Sequence, residues 1–212
     1  MQLNQIEPLK QLCLALAEFY RFPDQQFYQE LISGDWIQTI EELSQKAALT
    51  GRKPALPPDL TFSALKQEYI RCFIGVGEPA APPIESIYKV WTVDPSAQVV
   101  FARQKGYLMG DSALHIRHLL RSFGLELPAE LAYQPDHLAV LLELLVYFLE
   151  KLEFNHTVEY LKDHFDWLPD FYKRLSEIKA NELYLGVTSL LMECLRKMTV
   201  LLQGFSSIEE VS

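Results

Sequence analysis

The stretch QPDHLAVLLELL, residues 134 to 145, decides how this chain is read. From Leu138 to Leu149 the sequence is apolar with Glu143 as its one charge, and Leu138, Val140, Leu141, Leu142, Leu144, Leu145 and Phe148 cover every face of a helix. A helix that is apolar all round belongs at the centre of a bundle. The run is well short of the roughly 20 apolar residues a membrane helix needs. Pro135 is expected at the first helical position, which puts Asp136 and His137 in the first turn. There a carboxylate meets unpaired N–H groups and the positive end of the helix dipole. Capping accounts for Asp136 but not for His137, whose charged form the same dipole disfavours.

Helical punctuation recurs outward from this stretch. Pro8 leads into LKQLCLALAEFY. Asp24 can cap QQFYQELI with Gly34 after it, and Asp35 can cap WIQTIEELSQKAAL with Gly51 beyond. Further helices are expected around FSALKQEYIRCF, from Asp94-Pro95, from Asp111 or Ser112 to Gly124, and behind Asn155, Pro169 and Asn181. Alternating strand patterns and Asn-Gly hairpins are absent, so the expected fold is all-α, a single-domain helical bundle spanning 1–212. The proline-rich GRKPALPPDL, residues 51–60, reads as a connector and a candidate subdomain joint. GVGEPAAPPIES, residues 75–86, reads as a long ordered loop, residues 126–134 as a second connector, and the tail SSIEEVS as frayed.

Composition narrows the function. Net charge is −9 over 212 residues, without a basic patch interleaved with aromatics, which argues against nucleic acid as a partner. Cys13, Cys72 and Cys194 are far apart and lack a CxxC pairing, so neither disulfides nor a zinc site is expected and a reducing cytosol fits. The segment MQLNQIEPLK has no basic region followed by an apolar one, so neither a secretory signal nor membrane insertion is expected.

Candidate chemistry is sparse. His115 and His118, three apart, could both face a metal, but no third ligand is paired with them, and they read as the polar flank of a helix whose core stripe is Ala113, Ile116, Leu120 and Phe123. There is no GxSxG, and Gly75-Val76-Gly77 fits no phosphate loop. Asp136, His137, Val140 and Glu143 fall on nearby helical positions, an acidic stripe on an apolar wall. Such a surface suits a peptide carrying arginine and apolar side chains. Three readings stay open from the residues alone: a peptide-binding protein, a metal-dependent or acid/base enzyme using Asp136 and His137, and a generic helical adaptor.

Three segments together resemble the TorD/DmsD/NarJ family of redox-enzyme maturation chaperones. YIRCFIGVGEPAAPPIESIY, residues 69–88, is similar to the family's aromatic helix end, proline-rich loop and P-x-E-S-V-Y pattern; LMGDSALHIRHLLRSFGL, residues 108–125, looks like the helix that follows; the opening stretch is similar to the P-D-H-x-x-x-x-L-E signature. The match runs from about Leu65 to Phe171 and less specifically into both ends. At Ile84 and Cys72 the sequence departs from the family's usual tryptophan and leucine. The resemblance implies a cytoplasmic protein that is not an enzyme and carries no cofactor. Its partner would be the precursor of a molybdopterin-containing oxidoreductase, held by its twin-arginine signal peptide or N-terminal region. Peptide-binding positions carry over to Tyr69, Cys72, Phe73, Pro83, Ile84, Glu85, Tyr88, Asp136 and His137, all expected to line one groove, with Glu143 as a further acid. The family includes domain-swapped dimers as well as monomers, and exchange would use residues 126–134.

Overall fold

The computed structural model describes residues 5–75 and 79–209, the last four as backbone alone. Val76 and Gly77 of the glycine pair lie outside the described residues, and so do residues 210–212 of the tail, whose preceding part continues the final helix to Glu209.

The described residues contain no strand, and the fold is an all-α bundle. Its helices are α1 (Ile6–Ala17), α2 (Gln25–Ser33), α3 (Asp35–Lys46), α4 (Phe62–Tyr69), the single turn α5 (Glu85–Tyr88), α6 (Asp111–Ser122), α7 (Leu138–Lys151), α8 (Phe154–His164), α9 (Leu168–Glu177) and α10 (Glu182–Glu209). The apolar run forms α7 and lies at the centre as expected, packed against α1 and α8, while α10 meets α1, α8 and α9. Leu138, Leu141, Leu142 and Leu145 on α7 are fully buried. Each contributes about 1.5–3 kcal/mol by leaving water.

Local signals succeed where the cap is a neighbour in sequence. Asp24 accepts the Phe27 N–H at 2.8 Å, Asn181 accepts that of Tyr184 at 3.1 Å, and Gly34 ends α2 in the left-handed conformation. They fail where another contact takes the residue first. Pro135 does not open α7, which begins three residues later. Asp94-Pro95 starts no helix, because the Asp94 carboxylate accepts the Ser96 N–H at 2.8 Å and turns the chain back, so that Thr92 N–H reaches the Ala102 carbonyl. Asp111 is not a cap but the first residue of α6, and its carboxylate accepts the Thr92 hydroxyl and the Val93 N–H, both at 2.9 Å. Glu153, not Asn155, precedes α8.

The connector at 51–60 is fastened along α10. Glu193 accepts the N–H groups of Thr50 and Gly51 at 3.0 and 2.7 Å, which is why Gly51 serves here rather than as the stop of α3. Gly186 on α10 lets the connector approach: a Cβ there would lie 2.6 Å from both the Lys53 carbonyl oxygen and Pro54 Cα. Because the obstacle is backbone, Gly186→Ala is expected to destabilise the fold by about 1–3 kcal/mol in urea unfolding. A midpoint unchanged within error would mean that the connector is not seated on α10.

Candidate functional site

Two motif segments far apart in sequence are tied together by backbone. Ile84 and His137 form an isolated antiparallel bridge, in which Glu85 N–H donates to the Asp136 carbonyl at 3.1 Å and Leu138 N–H to the Pro83 carbonyl at 2.8 Å. Both residues of the bridge are extended, which is why the helix cannot start at Pro135. The bridge also reassigns the caps. His137 is the N-cap of α7, its Nδ1 accepting the Ala139 N–H at 3.3 Å. Asp136 instead caps α5, accepting the Ser86 N–H at 2.7 Å.

This answers the question that the imidazole raised. Burial pushes His137 down to about 4, with the nearby Arg21 charge adding to the effect, so at neutral pH the ring is uncharged, Nδ1 is free to accept and the proton sits on Nε2. Burial moves the Asp136 carboxyl the other way, above its ordinary range, against the bonds it receives from Ser86. Although adjacent, the two side chains engage different backbones and do not form an acid–imidazole dyad.

In front of the bridge lies a cavity of about 640 Å³. Tyr69, Phe73, Pro83, Ile84 and His137 line it, so five of the nine expected peptide-binding positions share one groove. The expectation that all nine would line it does not hold: Cys72, Glu85, Tyr88 and Asp136 stand behind its wall. Cys72 is buried in the π turn that follows α4, where burial and the Glu68 charge push its thiol up to about 12. Asp136 holds α5 in place, and α5 presents Ile87, and the residue before it Ile84, to the groove. Tyr88 stacks on Trp167, with ring centroids 5.1 Å apart.

Sequence reasoning missed the opposite wall. Residues 18–24, EFYRFPD, place Glu18, Arg21, Phe22 and Asp24 at the cavity, joined by Glu130 from the 126–134 connector. The signal was available: an acid and a base flank two aromatics directly after an apolar helix. Glu143 does not line this cavity. It lies in an adjoining depression with Leu125, Leu127, Val140, Leu144 and Tyr147, and reaches the groove only through an ion pair with Arg21.

On the far side of α5 is a second cavity, also about 640 Å³, with Glu85 at its floor. The Glu85 carboxylate is fully buried, receives His164 Nδ1 at 2.8 Å and pairs with Lys89 at 2.9 Å; His164 Nε2 lies 2.9 Å from His115 Nδ1. Because a carboxylate only accepts, His164 Nδ1 carries a proton. His164 is thus the residue that satisfies a buried acid. His115 turns toward His164 while His118 is exposed, and among the described residues no group of three or more His, Cys, Asp or Glu side chains could hold a metal ion. Of the expected stripe, Ala113, Ile116 and Leu120 are buried on α6, while Phe123 follows the helix and is partly buried. No helix among the described residues is long and apolar enough to cross a membrane.

Comparison with known proteins places this arrangement in a family. Residues 29–178 match the nitrate reductase delta subunit family, and the chain belongs to it. The resemblance carried by residues 69–88, 108–125 and 134–145 is thereby borne out. Among curated proteins the chain is similar to Chaperone protein TorD of Shewanella piezotolerans, 23% identical over 159 residues that cover 73% of this chain and 71% of that protein.

Proposed function

We propose that this protein is a cytoplasmic maturation chaperone, which holds the twin-arginine signal peptide or N-terminal region of a molybdopterin-containing oxidoreductase subunit until its cofactor is inserted. The observation that carries the reading is the groove itself. It is apolar at Tyr69, Phe73, Ile84, Ile87 and Leu108, all within the segments on which the family resemblance rests, and acidic at Glu18, Asp24 and Glu130, which lie outside them. A cavity of this size accommodates a few anchoring side chains rather than a whole peptide. Carboxylates at its mouth favour arginine over lysine because the guanidinium can bond two oxygens at once. Pro83, Ile84, Tyr69, Phe73 and His137 would touch the peptide; Asp136, Glu85, Tyr88 and Cys72 would set the wall they stand on. Function is sequestration without turnover.

Calorimetric titration with twin-arginine peptides and their dilysine counterparts tests this. The twin-arginine form is expected to bind about tenfold or more tightly than the dilysine form. Absence of binding by any twin-arginine peptide or molybdoenzyme precursor would refute the proposal.

A further inference from the structure

Arg21 is the one cationic side chain among the described residues that line the groove. It follows the 3₁₀ turn Glu18–Tyr20 with an extended backbone, which turns its side chain out of the α1 helical path. Its Nη2 pairs with Glu143, and its Nε lies 3.4 Å from Glu18 Oε1. These two acids come from separate elements, the 3₁₀ turn after α1 and the middle of α7, and they converge on a single guanidinium. An arginine subsite at the edge of the groove, between it and the depression that holds Glu143, is therefore already occupied, and the occupant belongs to the chain itself.

From this geometry we infer that Arg21 is an internal stand-in for a client arginine: it occupies the Glu18–Glu143 subsite in the free protein and is displaced when a client guanidinium enters. The inference rests on the peptide-binding reading of the groove. The tethered side chain competes at high effective concentration, so an isolated basic residue on an unrelated protein gains little by entering. A peptide with two adjacent arginines and apolar neighbours can engage Glu130 and the aromatic wall as well, and so can displace it. Arg21 thus acts as a specificity filter. It lowers affinity equally for every peptide that enters the subsite, so that only one making several further contacts keeps enough affinity to bind.

Arg21→Gln removes the competing charge while keeping much of the side-chain length. Its affinity for a twin-arginine peptide should rise by about fivefold, as expected for loss of a partly exposed ion pair that must otherwise be broken. Affinity for a peptide with one arginine that enters the same subsite should rise by a similar factor, because both peptides pay the same cost of opening the ion pair. Arg21→Lys, which keeps the charge but cannot bridge both acids as the guanidinium does, should fall between wild type and Arg21→Gln. In the wild-type protein, the Arg21 Nε–H resonance, identified by its loss in Arg21→Lys, should shift on peptide addition as the ion pair opens; this readout holds even if Arg21→Gln folds poorly. If wild type binds but its Arg21 resonance stays unmoved, or a folded Arg21→Gln binds no more tightly, the stand-in role is wrong and the peptide-binding reading survives. If neither protein binds any twin-arginine peptide, both fail together.

Discussion

Replacing Glu85 with alanine is expected to cost about 3–5 kcal/mol of unfolding free energy, the loss typical of a buried ion pair deprived of one partner. The cost falls mainly on His164. That imidazole is 2% exposed, donates to Glu85 through Nδ1, and would find no acceptor in the variant. Lys89 suffers less, since its side chain is a quarter exposed and keeps Asp166 at 2.7 Å. Glu85→Gln is expected to lose less than half as much, because an amide oxygen can still accept from His164. Urea unfolding of both variants at pH 7.5 checks the ordering. A loss below about 1 kcal/mol for the alanine variant would show that the Glu85–His164–His115 chain does not hold α5. Against a total stability of about 5–15 kcal/mol for a typical domain, the expected loss is a large fraction.

The same residue shows where sequence reading stops. Glu85 is recognisable from the pattern around residues 83–88, but whether its carboxylate faces the groove depends on His164, which approaches from α8. Periodicity made α7 legible as the central helix because apolar residues on every face need no partner to be named. Asp136 was legible as a cap but not as the cap of α5, since the N–H it accepts belongs to Ser86, brought there by the bridge between Ile84 and His137. Glu143 was legible as an anomaly in an apolar helix; its partner Arg21 lies beyond the 3₁₀ turn that follows α1. In each case the residue type announced that a partner was required, and only the tertiary fold supplied which one. The aromatic and aliphatic members of the groove fared better, because Tyr69, Phe73, Pro83 and Ile84 lie within two short segments whose local geometry the motif already implies.

Acidification should expose the cost of keeping His137 neutral. In the unfolded chain its imidazole titrates near 6.5; in the fold, burial and the Arg21 charge hold it at about 4. Between these values the unfolded state binds the proton and the native state does not, so stability must fall as pH falls through this window. The contribution is fully present above about pH 6.5 and lost below about pH 4, and the 2.5-unit difference corresponds to about 3 kcal/mol. Roughly 2 kcal/mol of this should be gone by pH 5. His115, whose pKa burial also lowers, acts in the same direction, and Asp136, whose pKa burial raises, acts in the opposite one. His137→Asn separates the contributions: asparagine retains a side-chain oxygen to cap α7 but cannot take up a proton, while His115 and Asp136 remain. Urea unfolding at pH 7.5 and pH 5.0 should therefore show wild type losing about 2 kcal/mol more than the variant. Equal losses in the two proteins would place the acid sensitivity elsewhere and would mean that His137 takes up its proton without disturbing the bridge to Ile84.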